Sequence, residues 1–285
     1  MIAFTKRNLY VFFRDRSAVF FSLLASLIIV GLYVLFLGDT WASNFEGLEN
    51  VKQLMDNWVM AGLLSVTSVT TTLGAFGIMV GDRAQKISKD FYVSPMRRRD
   101  LAGGYVLSAA IVGFILSIIT LIAAEIYIAA RGGELLGLPA LFKLLLLILA
   151  ADLANTAMIF FITSFFESNN AFSTASTIIG TLIGFITGIY LPIGILPDGV
   201  QWLVRLFPTS HAAALMRQTM MAAPMAESLA GASDAHAADF KEMLGIHFWF
   251  GDYEISALLS LLILLCFGAL FFVLAAVNLS RRKRV

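Results

Sequence analysis

From Trp58 through Val80 the chain carries no charged side chain, and from Leu101 through Ala130 it carries only Glu125. At about 1.5 Å per helical residue, each run can cross the roughly 30 Å of hydrocarbon in a bilayer. Hydrocarbon offers no partner to a backbone amide, so uncharged runs of this length are expected to span as helices, which satisfy their own hydrogen bonds. Comparable runs recur along the chain. They predict an all-α membrane protein, one transmembrane domain over 1–285, with six transmembrane helices at 18–37, 58–80, 101–130, 141–166, 171–191 and 255–279. A hydrophobic share of 59% and a mean hydropathy of +0.85 agree, because soluble domains hold roughly 45–50% apolar residues.

The charges orient these spans. Residues 81–100 form a polar island, GDRAQKISKDFYVSPMRRRD, with Arg83, Lys86, Lys89, Arg97, Arg98 and Arg99 against Asp82, Asp90 and Asp100. An excess of Lys and Arg in a short loop marks the cytoplasmic side. Good helix formers from Asp82 to Asp90, then Pro95, predict a short helix followed by a turn, a loop shaped for docking. Six spans with both termini inside place 14 Lys and Arg in the cytoplasm and six outside, at Lys52, Arg131, Lys143, Arg205, Arg217 and Lys241. The outer segments are acidic, with Asp39, Glu46, Glu49 and Asp56 in one and Glu227 to Glu254 in another, and Trp41 and Trp58 serve as interfacial anchors. Residues 1–16 gather Ile2, Leu9, Phe12 and Phe13 opposite Arg7 and Arg14, as an interfacial amphipathic helix would. A signal-peptide reading of that segment is weaker, because the run at 18–37 is long enough to span.

Within the spans, polar and small residues are the candidates for function. Thr67, Thr70, Gly74, Gly77 and Gly81 share one helix face, and such faces commonly pack against another helix. The competing reading makes Ser65, Ser68 and Thr72 the lining of a passage for an amphipathic cargo. Asp152 lies near mid-depth with Asn155 and Thr156 one turn on; a carboxylate there faces the bundle interior, as part of a translocation path or as a polar clasp. Glu125 stands near the outer end of its span, where a carboxylate is ordinarily solvated. Gly180, Gly184 and Gly188 recur every four residues, which predicts close helix packing, plausibly across a dimer. Residues 192–254 begin with a stretch broken by Pro192, Gly194, Pro197, Gly199 and Pro208, which reads as a re-entrant outer hairpin. Met216, Met220, Met221 and Met225 offer an adaptable apolar surface, for packing or for a lipidic cargo. His211, His236 and His247 have no metal-ligand spacing, and Cys266 is the single cysteine, so neither a metal site nor a disulfide framework is expected.

The order of these pieces resembles the membrane subunit of a type 2 ABC transporter of the bacterial exporter family. The resemblance rests on RNLYVFFRDRSAVFFSLL (Arg7 to Leu24), on KDFYVSPMRRRDLAGGY (Lys89 to Tyr105), and on Pro192, Pro197 and Pro208 with Arg217 before the last span. It implies that the first cytoplasmic loop is a coupling helix seated on an ABC ATPase subunit, with Asp82, Arg83, Lys86, Lys89, Asp90, Phe91 and Tyr92 as the coupling residues. It further implies a homodimer or a pairing with a paralogous permease, contact with membrane lipids, and export across a bacterial cytoplasmic membrane. The chain itself has no Gly-x-x-x-x-Gly-Lys-Ser/Thr loop, so no cofactor is expected in it, and ATP and Mg2+ belong to the partner ATPase. Neither catalysis nor nucleic-acid binding is expected. Two other classes stand beside this one. A self-contained proton-coupled transporter would use Asp152 as the carrier but should show paired broken helices in two related halves. An intramembrane enzyme would need a ligand set or a nucleophile and base pair, which the sequence lacks.

Overall fold

The computed structural model describes residues 1–33, 50–231, 233–251 and 253–281. Its first helix, α1 (Ile2–Arg14), buries Phe4 and Phe12 and leaves Arg14 exposed, but the buried face is not the one expected: Ile2 and Phe13 are exposed, and Arg7 turns to Asp82. The chain then bends by 75° into α2 (Arg16–Leu32). Asp15 makes that bend: its backbone is extended, and its side chain accepts from the Ala18 amide at 3.0 Å, capping the new helix. The end of the expected first span beyond Tyr33, and the expectations for Asp39, Trp41, Glu46 and Glu49, lie outside the described residues. So do Arg282, Lys283 and Arg284 of the basic tail.

Helix α3 (Val51–Ala84) is the axis of the molecule, and 83% of its most apolar stretch is buried inside the chain. It packs against α2, α5 (Arg98–Ala130), α6 (Leu138–Thr163), α7 (Asn169–Ile186) and α9 (Pro208–Met220). Its small residues permit this closeness. A Cβ added at Gly74 would collide with Ser22 of α2, and one at Gly77 would touch the Phe172 ring of α7 at 3.7 Å. The last helix, α12 (Ala257–Arg281), lies at the periphery against α6 and α9, with only 17% of its apolar stretch covered. Apolar residues left bare on that scale suit lipid as their solvent.

Two sequence expectations need correction here. Four single helices are long and apolar enough to cross a membrane, in α3, α5, α6 and α12, and the bent pair α1 and α2 could supply a fifth. The fifth expected span, at 171–191, is not among them: α7 opens on Asn169 and Asn170 and stops at Ile186, because Gly188 takes a left-handed φ of +67° and turns the chain back. The island at 81–100 also divides differently. Helix α3 continues through Ala84, and the separate short helix is α4 (Ile87–Val93), set off by Lys86 at φ +63°. Asp82 and Arg83 therefore end a long helix and do not begin the short one.

After α7 come a 3-10 turn (Ile193–Ile195), α8 (Asp198–Leu206), α9, α10 (Ala222–Ser228) and α11 (Asp234–Met243), then a small hairpin pairing Trp249–Phe250 with Tyr253–Glu254. The prolines explain the fragmentation. Pro197 precedes α8, and Pro208 opens α9, where its missing amide hydrogen is not needed. Unlike the exposed α8, α9 is almost wholly buried, wedged between α3, α6 and α12.

Candidate functional site

Three assemblies of polar side chains organise the chain, and each joins elements far apart in sequence. The first lies where α1 crosses the base of the basic loop. Asp82, almost fully buried, accepts two parallel hydrogen bonds from the Arg7 guanidinium, at 2.6 and 2.9 Å, and a third at 2.6 Å from the Tyr105 hydroxyl. Hydrogen bonding to Asp82 pushes the Arg7 pKa further above its already high ordinary value, while partial burial pulls it the other way. Around this pair the Phe4 ring meets the rings of Phe91 and Tyr105 edge-on at 5.0 and 4.9 Å, and the guanidinium lies 5.4 Å from the Phe91 ring. Gly104 makes room for Phe4, since a Cβ there would come within 2.6 Å of the ring. Arg83 donates to the Phe166 carbonyl at 3.2 Å, binding the same end of α3 to the end of α6.

These contacts revise the list of coupling residues. Asp82 is buried and Arg83 and Phe91, both half-buried, also make contacts within the chain; the side chain of Tyr92 lies outside the described residues. Lys86, Lys89 and Asp90 remain exposed, and Val93, which sequence reasoning passed over, is 87% exposed at the end of α4. A lone valine in a charged loop gives no periodic signal, which is why it was missed.

The second assembly is a buried polar cluster between α3, α5, α6 and α9. Ser117 donates to Asp152 Oδ1 at 3.3 Å. The Asn155 amide donates to Ser68 Oγ at 2.9 Å, and its carbonyl oxygen accepts from the Thr209 hydroxyl at 2.9 Å. Ser65 donates to the Thr209 carbonyl at 3.0 Å, and Thr72 to the Ser68 carbonyl at 2.7 Å. Ser65, Ser68, Thr72, Asp152, Asn155 and Thr156 are all at most 1% exposed. All six are closed in between these helices, an arrangement that suits a clasp. A clasp needs hydrogen bonding and not a titrating proton. Asp152→Asn is therefore expected to change stability by no more than about 1 kcal/mol, whereas Asp152→Leu should lose about 2 kcal/mol or more by stranding Ser117. Thermal unfolding of both variants in detergent checks this, and equal, large losses would remove the clasp.

The third assembly centres on Arg217, counted from sequence among the outer surface cations. The structure buries it completely. Its guanidinium lies over the Trp58 ring at 4.7 Å and donates to the carbonyls of Gly188 and Gly245, at 3.2 and 3.4 Å. Trp58 in turn donates its indole N–H to the Leu244 carbonyl at 2.8 Å. The family-like position of Arg217 pointed to this residue; its burial had no signal in the local sequence. Elsewhere, Glu125 accepts from the Leu136 amide at 3.0 Å and so braces the turn between α5 and α6.

The glycine ladder of α7 also changes meaning. Gly180 faces open space, Gly184 lies beneath the Tyr190 ring of the same chain, and Gly188 lies past the helix end. Gly180 and Gly184 lie one turn apart on α7, but Gly188 stands beyond the helix end, so the ladder of three does not run along one helix face.

A family model described as "ABC-2 family transporter protein" covers residues 37–277. No curated protein matches the chain.

Proposed function

We infer that this chain, which belongs to the ABC-2 transporter family and is a type 2 ABC transporter membrane subunit, works as the permease half of an ATP-driven exporter. It is a multi-pass membrane protein and a transport subunit, not itself a catalyst. The family implies an ABC ATPase partner. Our reading is that two such permeases, identical or paralogous, stand over two ATPase subunits that hold ATP and Mg2+. They move an amphipathic or lipidic cargo, a drug or a peptide out across a bacterial cytoplasmic membrane, with both termini inside. The broken segment from Leu191 to Pro208 would form the re-entrant outer hairpin.

One observation carries the coupling part of this reading. Val93 is exposed at the tip of a loop whose base is fixed by the Arg7–Asp82–Tyr105 contact. A bare apolar tip flanked by Lys86, Lys89 and Arg97 gains from a partner groove, and its fixed base would pass a push from that partner into α1, α3 and α5 together. Val93→Asp is expected to weaken ATPase binding by about tenfold or more, from loss of apolar burial worth roughly 1.5–3 kcal/mol. Because Val93 touches little in the free chain, melting of the isolated permease should not move. Co-purification of the ATPase with unaltered stoichiometry and hydrolysis rate would refute the docking role of this tip.

A further inference from the structure

Arg217 presents a problem of charge. Among the described residues it is the one lysine or arginine that is fully buried, and no carboxylate meets it. A bare cation in a low-dielectric interior is strongly disfavoured unless something of opposite polarity faces it. The geometry supplies three such groups. Gly188 and Gly245 follow the ends of α7 and α11, both at left-handed φ, +67° and +63°, so the guanidinium lies against the negative ends of two helices. The face of Trp58, from α3, supplies the third. Each partner comes from a different segment, and the charge is compensated only while all three meet.

We propose that Arg217 is a releasable pin that holds the ends of α3, α7 and α11 together and lets go when this end of the bundle opens during transport. Its bonds suit release: they go to neutral carbonyls at 3.2 and 3.4 Å, the long end of the range, and not to a carboxylate that would follow the arginine as it moved. Two states are then favourable. In the closed state the helix ends and the indole surround the charge; in an open state water does. A half-open, dry state leaves the cation with neither, so the pin makes opening all-or-none.

The opening step belongs to the transport reading above, but the pin can be tested without it. Ile189, 2% exposed, flanks the guanidinium: a Cβ built at Gly62 would meet Arg217 Nη2 at 3.1 Å and Ile189 Cγ1 at 3.2 Å. In a Cys266→Ser background, Ile189→Cys reports opening through its reaction with a water-soluble maleimide. With Arg217 present and no nucleotide the thiol should be protected. Arg217→Met should raise the labelling rate by about tenfold, the factor for losing one charge-assisted hydrogen bond from a closing equilibrium. Arg217→Lys keeps the charge but cannot fork to two carbonyls, so it should fall between, and it carries the test if the Met variant aggregates. Equal protection in all three proteins overturns the pin. In the second arm, the complex with its ATPase should label the native-Arg217 reporter only during ATP hydrolysis. Continued protection while ATP is being hydrolysed makes Arg217 a static staple and defeats the proposal. Failure to find any bound ATPase would instead defeat the transport reading and leave the nucleotide-free result standing.

Discussion

Asp82→Ala is expected to destabilise the purified permease by about 2–3 kcal/mol, somewhat below the ~3–5 kcal/mol typical of breaking a fully buried pair, because Arg7 can turn partly to water. The loss has two sources. Arg7 forfeits a bidentate carboxylate, and the Tyr105 hydroxyl, mostly buried, loses its acceptor. The position of the pair makes the consequence more than local. Arg7 belongs to α1, Asp82 to the end of α3 and Tyr105 to α5, and Phe91 of α4 packs on the same knot. The expected result is therefore a lower melting temperature together with faster proteolysis at α4. A double-mutant cycle separates the pair from its neighbours: Arg7→Ala with Asp82→Ala should be less destabilised than the sum of the single variants by about 1 kcal/mol or more. Simple additivity, or an α4 that resists protease in the Asp82→Ala protein, would show that the basic loop does not depend on this pair.

The knot also shows which parts of the fold were legible. Long uncharged runs, basic loop residues and the Pro and Gly punctuation have local causes, so α3, α5, α6 and α12 and the broken segment after α7 were readable from spacing alone. Long-range pairing was not. Nothing near Asp82 in sequence announces that its partner is Arg7, and the same aspartate reads equally well as a solvated first-turn residue of a docking helix. Phe91 was ambiguous for the same reason: a large apolar group in a polar loop asks for a cover, and the sequence does not say that the chain's own Phe4 meets part of it. Arg217 is the extreme case. Its environment is assembled from Trp58, Gly188 and Gly245, and counting charges by loop necessarily sends it outside. Asp152 was more tractable, because an unpaired carboxylate within a long apolar run has few options, and the interior position expected for it is the one it takes beside Ser117.

Gly184→Leu turns on another long-range contact and is expected to destabilise the monomer by about 3 kcal/mol, the upper range for forcing bulk into a packed site. On helix propensity alone the substitution should help, since leucine is favoured over glycine in a helix interior by nearly 1 kcal/mol. Tyr190 reverses that sign. The chain turns back after Gly188, lays the Tyr190 ring over Gly184 and packs it edge-on against Phe185 at 5.1 Å, so any Cβ at Gly184 would overlap the ring. Removing the obstruction should then rescue the variant. With Tyr190→Ala in place, Gly184→Leu is expected to be neutral or mildly stabilising, as read by thermal unfolding of the detergent-purified permease. A seam between two copies predicts the opposite pattern: Gly184→Leu would weaken self-association by native mass measurement while leaving monomer unfolding unchanged, and Tyr190→Ala would bring no rescue. Observation of that second pattern would return Gly184 to the dimer interface and remove the intrachain role assigned to it here.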